Sequence, residues 1–346
     1  MRLILKILRV VFIILSILTF SLCEFSRGGQ SLKGEELYTN WKGIIAILCG
    51  KDSDRNMLWF ITPKGSRLIT EYANLYGQVL WSPDGNYLAY RDSNMKLVIV
   101  SKDGKNLYTF GEVDYQFSWS WNSCYVLSGV YFDGLYQYSI DGSQKKLLSS
   151  YYRTYDHNPV QSRDGKWVYF LHHEYGTTCT IYRIRTAKLL SGATYSDGEK
   201  LIDITTYHDE KVMLEPTNDG KVIIAYSGKC RILDPKSKVL HKLQSTVSFH
   251  VDFIKLSPNG EYLAVLSSDK VWIIDSSSWQ VLNYITSPDD GRIESFAWSS
   301  DSQALVIVTS YGKFYIWRIN DPQCQKIFEI SILGNVRIGK SLSWTQ

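Results

Sequence analysis

Cysteine is scarce in this sequence and shows no pattern. Of six cysteines, Cys23 falls within the first 23 residues, and Cys49, Cys124, Cys179, Cys230 and Cys324 include no CxxC pair. An odd remainder without clustered spacing signals neither a zinc module nor a disulfide scaffold, and leaves these thiols as small apolar residues in strands. An excess of charge of one sign is missing too. The formal charge is +4, but Arg2, Lys6 and Arg9 lie in the first 23 positions, where no acidic residue stands, leaving 35 basic against 34 acidic residues beyond them. No basic block remains to track a phosphate backbone, so nucleic acid is not an expected partner. Catalytic motifs are absent as well: the chain has no GxSxG, HExxH, P-loop or GxGxxG. That removes the common signatures without removing enzymes whose sites are assembled from scattered loop residues.

Long apolar runs are also lacking. The uncharged stretch over 10–23 follows three basic residues and is short of the ~20 residues that cross a bilayer. Charge followed by a short apolar run is the order of a signal peptide, with Ser21 and Cys23 at the small-residue positions before a cut at Glu24. A lipoprotein signal acylated at Cys23 is an alternative, although Leu22 stands where a small residue is wanted; an uncleaved anchor is another. The reading is export, to a periplasmic, secreted or membrane-anchored location, with any membrane association confined to this segment. Residues 1–23 are the signal peptide or anchor, 24–40 a linker, and 41–346 the folded body.

What is present is aromatic. Phe, Trp and Tyr make up 14% of the chain, including 24 Tyr and 11 Trp, and 45% of residues are hydrophobic, so a disordered chain is excluded and a β-rich globule favoured. One phrase recurs seven times: VLWSPDGNYLAY, FSWSWNSCYVLS, PVQSRDGKWVYF, LEPTNDGKVIIA, IKLSPNGEYLAV, FAWSSDSQALVI and a truncated LSWTQ, aligned on Trp81, Trp119, Gln161, Pro216, Leu256, Trp298 and Trp344. Each copy is a strand, a tight turn in which Gly or Asn accepts left-handed backbone, and a second strand; two more strands complete the unit. Four strands every 40 or so residues predict the blades of a β-propeller. The C-terminal LSWTQ has a first strand with nothing after it, and 43–72 has three strands with no first strand ahead of them. The prediction is therefore a single all-β, seven-bladed propeller of four-stranded blades, closed by pairing the C-terminal strand with the N-terminal blade, which hides the sheet edges an open end would expose.

With WSPDG at 81–85, SPNG at 257–260, RDG at 163–165 and NDG at 218–220, the chain from about 41 to 346 resembles the WD40-like propellers of the WSPDG repeat, the TolB type. The resemblance implies a fold and says little about activity. The connections leading from one blade's outermost strand to the next innermost strand open at the mouth of the central channel, and there the sequence places Tyr76, Tyr115, Tyr151, Tyr152, Arg153, Tyr155, His157, Tyr207, His208 and His250. Aromatic rings with polar tips on convergent loops suit a protein, peptide or glycan partner. The expectation is a non-catalytic, monomeric binding or scaffolding module without a cofactor. The alternative is a glycan lyase or hydrolase working at the same mouth. His157, His208 and Asp209 lie on separate blades with no diagnostic spacing, so no metal site is expected. His172 and His173, adjacent on a strand, point to opposite faces. The extra segment TAKLLSGATYSDGEK at 186–200 reads as a tolerated loop insertion or a docking element on the face opposite the mouth, where altering Leu189 and Tyr195 should matter less for partner capture than altering the mouth.

Overall fold

The computed structural model describes residues 41–50, 56–149, 154–174, 178–206, 211–243, 250–321, 324–329 and 337–345. The expected leader and linker at 1–40 lie outside the described residues. Among those described, seven separate four-stranded antiparallel sheets form the ring of a β-propeller. Blades 2 to 7 each run in sequence order from an innermost strand outward, these innermost strands being Val79–Trp81, Phe117–Trp119, Thr154–Gln161, Met213–Pro216, Phe253–Leu256 and Ile293–Trp298.

The repeated phrase has one physical cause, a hydroxyl placed directly after the innermost strand. Ser82, Ser120, Ser162, Thr217, Ser257 and Ser299 each donate a hydrogen bond of 2.5–2.7 Å to the Asp or Asn two residues on. In five blades the same hydroxyl accepts the backbone N–H five residues on, from Tyr87, Tyr125, Trp167, Tyr262 and Ala304. The turn forces positive φ one residue after the acidic or amide group, where Gly85, Gly165, Gly220 and Gly260 stand, but where two blades carry Ser123 and Ser302. Those serines are used. Ser123 Oγ accepts the N–H of Asp84, and Ser302 Oγ that of Asn259, each 3.0 Å away in the turn of the preceding blade.

The hydrophobic core lies between blades. Seven clusters of buried side chains occur among the described residues, one in each of the seven interfaces around the ring. The interior positions are β-branched, aliphatic or aromatic, the residue types that pack on pleated surfaces.

Closure follows the sequence prediction. Arg337–Thr345 pairs antiparallel with Ile44–Gly50, with Ile45 opposite Trp344 and Ile47 opposite Leu342, and becomes the innermost strand of blade 1. Its next neighbour is blade 2: Ser341 Oγ accepts the N–H of Val79 at 2.8 Å and Ser343 Oγ that of Trp81 at 3.0 Å. The indole N–H of Trp344 is bound by the carbonyl of Lys42, and its ring meets Trp41 edge-on at 6.1 Å.

Two expectations are corrected. The segment at 186–200 is no loose surface insertion. It forms a helix, Thr186–Ser191, and a 3-10 turn, Tyr195–Asp197. Leu189 is fully buried with Leu127, Leu147, Phe170 and Ile184 in the interface of blades 3 and 4, and the Ala193 N–H is bound to the Leu147 carbonyl. Tyr195 reaches inward, its hydroxyl bonding the wholly buried Asp156 carboxylate that also holds His172 Nδ1 at 2.8 Å. The physical reason is that Leu189 and Tyr195 find an apolar seam and a buried carboxylate to satisfy. Second, 154–158 is strand and not an exposed loop. The strand Thr154–Gln161 continues past Pro159 through a register shift between His157 and Val160, with Asn158 at φ 49°. A proline is tolerated because this strand is an edge of its sheet. It also sits unusually close to blade 3: a Cβ on Gly129 would lie 2.4 Å from the Asp156 carbonyl oxygen, so only glycine permits the approach.

Candidate functional site

The ring encloses a cavity of about 1320 Å³ whose wall takes side chains from the innermost strands of all seven blades. Blades 2 to 4 give one side of its mouth an aromatic rim. Tyr76 is 75% exposed, Tyr115 53%, Tyr131 60% and Phe132 46%, and all four line the cavity together with the half-buried Tyr155. The rings are in contact: Tyr131 meets Phe132 at 4.1 Å and Tyr155 edge-on at 4.8 Å. Tyr115 is held over the guanidinium of Arg91, 4.2 Å from the ring centre. Arg91 is 3% exposed, and its Nε and Nη1 have no hydrogen-bond partner among the described residues.

Behind the rim lies a titratable group of side chains. The Tyr155 hydroxyl donates to the Asp114 carboxylate, which also accepts the Tyr115 backbone N–H at 2.7 Å. Burial raises the Asp114 carboxyl above the usual range, although the Tyr155 hydroxyl, the Tyr115 N–H and the charge of Arg91 act against it. Burial and the neighbouring carboxylate push the Tyr155 phenol up strongly. His157 stacks on Tyr155, with ring centres 4.3 Å apart and planes parallel within 1°, and turns Nδ1 to Asp114 Oδ2 at 3.9 Å. Its Nε2 is buried without a hydrogen-bond partner among the described residues, and burial with the neighbouring His173 and His172 holds its pKa down at about 3. His173 meets His157 edge-on at 5.5 Å and is directly opposite Cys179 on the next strand. Cys179 is fully buried, which pushes its thiol up to about 12.

Of the residues singled out from the sequence, Tyr76, Tyr115, Tyr155 and His157 are brought together here. His250 is not. It is exposed, lies outside the cavity wall and packs against Gly228 in the hairpin between the second and third strands of blade 5. Tyr151, Tyr152, Arg153, Tyr207 and His208, like Cys23, lie outside the described residues. The separation of His172 and His173 onto opposite faces holds: one ring binds Asp156, the other turns to His157.

Sequence reading missed Asp114, Tyr131, Phe132, His173 and Cys179 as site residues. For Tyr131 and Phe132 a signal existed. Strands alternate in direction, so the hairpin between second and third strands opens on the same face as the connections between blades, and GVYFDG at 129–134 is such a hairpin.

No family model matches the chain, and no curated protein matches it either. Solved structures do. An oligogalacturonate lyase in complex with manganese is similar at a TM-score of 0.58 and 11% identity, over 82% of this chain and 85% of that one. A chain of the mitotic checkpoint complex is similar at 0.53 and 12% identity, over 75% and 79% respectively. At such identities the likeness shows the propeller fold alone.

Proposed function

We propose that the propeller is a binding module that takes an extended protein, peptide or glycan ligand across the aromatic side of its channel mouth. The observation that carries this reading is the cluster of Tyr76, Tyr115, Tyr131, Phe132 and Tyr155 on one side of one cavity, four of them exposed. Large rings on a pre-formed concave surface bury much area at little entropic cost, and a few such anchors supply most of the affinity in a typical interface. Asp114, which lines the cavity among the rings, provides a polar group for orientation, and the buried Arg91 supports the Tyr115 ring from beneath. The test is binding to arrays of oligosaccharides and of peptides, followed by titration of the best hit. Replacing Tyr115, Tyr131 and Phe132 with Ala should weaken that hit at least about tenfold, roughly 1.4 kcal/mol. Leu282→Ala, at a side chain 55% exposed on the outermost strand of blade 6, should leave it unchanged. Affinity that survives the triple substitution sinks the proposal.

A second reading, an enzyme acting on the bound ligand, has its own support. Asp114, Tyr155 and His157 stand within or near hydrogen-bond reach of one another at the mouth, as acid–base work requires. The propeller among the similar structures that is a lyase of oligogalacturonate directs the search to acidic oligosaccharides. Turnover that is lost in Tyr155→Phe while ligand capture persists would favour this reading over the first.

A further inference from the structure

We propose that His157, His173 and Cys179 form a binding site for a zinc-class divalent metal ion on the channel wall of blade 4. One ring nitrogen of each histidine and the Cys179 Sγ lie within 4.8 Å of one another. A tetrahedral zinc with its usual bond lengths needs such atoms about 3.3–3.6 Å apart. To hold an ion the three atoms must draw together by roughly 1 Å, and His173, whose Nε2 lies 3.4 Å from Thr206 Oγ1, would exchange or keep that contact according to the nitrogen it offers. Three adjacent strands of one sheet present the ligands, Thr154–Gln161, Trp167–Glu174 and Thr178–Arg185, with His173 directly opposite Cys179. Ligands on paired strands are held more firmly than ligands on loops.

A second observation points to an ion independently of the spacing. His157 Nε2 is buried with no hydrogen-bond partner among the described residues, and an orphaned buried polar atom is costly unless something binds it. The other ring nitrogen faces the Asp114 carboxylate at 3.9 Å. A carboxylate behind one nitrogen and a free lone pair at the other is the orientation that histidine ligands of metals adopt. Tyr155 stacked on the ring fixes that orientation. One thiolate with two imidazoles favours borderline-soft ions over calcium or magnesium. Binding releases the Cys179 thiol proton to solvent as the metal–sulfur bond forms. His157 and His173 both line the cavity, so the fourth position opens to the channel, where water or a donor atom of a ligand can occupy it.

Titration of the chelator-treated full chain with Co²⁺, a spectroscopic substitute for Zn²⁺, tests the site. The expected result is one equivalent bound, visible bands of a tetrahedral ion, a near-ultraviolet sulfur-to-cobalt band, and displacement by Zn²⁺. Cys179→Ser should remove the sulfur band and weaken Zn²⁺ binding at least tenfold. His157→Gln should weaken it similarly. Asp114→Asn should keep the sulfur band with an affinity reduced about ten- to a hundredfold. Cys124→Ser, at an exposed thiol far from the cluster in the chain, should change nothing. Circular dichroism establishes that each variant is folded; should Cys179→Ser fail to fold, His157→Gln decides the question. A wild-type chain without a sulfur band, or a band or affinity untouched by these ligand substitutions, overturns the proposal. None of these readouts depends on the identity of the ligand at the mouth.

Discussion

Ser123 shows how one residue links turn geometry to ring stability. It occupies a left-handed position, φ 60°, where four other blades have glycine, and it is buried with 4% exposure. A Cβ in this conformation costs roughly 1–2 kcal/mol, offset here by the hydrogen bond its hydroxyl accepts from the N–H of Asp84 in the preceding blade. Ser123→Ala keeps the strained backbone and leaves that N–H unsatisfied, so it should destabilise by about 1–2 kcal/mol. Ser123→Gly loses the same bond but relieves the strain, and should cost less than half as much. Urea unfolding midpoints measure the difference; an alanine variant as stable as wild type would mean that the link between turns contributes nothing. The acidic members of these turns add a pH dependence. The hydrogen bond from Ser162 holds the exposed Asp164 carboxyl below its ordinary range, with further help from the Lys166 backbone and side chain. A depressed folded-state pKa gives stability that is present above the ordinary carboxylate range and fades as pH falls through the folded value.

At the scale of elements, the helix Thr186–Ser191 matters most, because its role reverses the sequence reading. Leu189, part of a tolerated loop insertion in that reading, is 0% exposed and sits among Leu127, Leu147, Phe170 and Ile184 of two blades. Leu189→Ala should destabilise by about 2–5 kcal/mol, the cost of a buried cavity of that size. Thermal denaturation checks this, and a change below about 0.5 kcal/mol, the ordinary range for surface positions, would return the helix to the surface. The extra segment thus acts as a wedge between blades 3 and 4. It braces the wall that carries the site: Tyr195 binds Asp156, and Asp156 lies between Tyr155 and His157 in one strand. Side chains alternate across a strand, so anchoring Asp156 on one face presents Tyr155 and His157 on the other.

For the whole molecule the decisive feature is closure. Removing residues 341 to 346 takes Leu342 and Trp344, both 7% exposed, out of the innermost strand of blade 1. Loss of a single large buried aromatic typically costs about 3–5 kcal/mol, a large share of the ~5–15 kcal/mol that holds a domain together. The shortened chain should therefore melt far below the full one, with blades 7 and 2 losing their contacts to the clasp. Melting within a degree or two of the full chain would show that the clasp is dispensable. The same closure makes the cavity a property of the ring, since a wall drawn from seven sheets has no local precursor.

The sequence by itself determined the number of blades, their strands and the clasp, because each repeat is a local pattern. A hydroxyl, a turn residue with positive φ and a following apolar strand lie within a dozen positions, and seven repetitions with the first strand displaced to the C-terminus admit one closed arrangement. It also placed Tyr76, Tyr115, Tyr155 and His157 near the mouth, since strand direction alone fixes which connections gather there. What only the tertiary structure decided is which of these residues meet, and with what. His250 turns to a neighbouring hairpin, while His157 turns to His173, Cys179 and Asp114. Those choices depend on the register of Thr154–Gln161, the shift at His157 and the close approach at Gly129. Each is set by packing between blades and not by any neighbour in the chain.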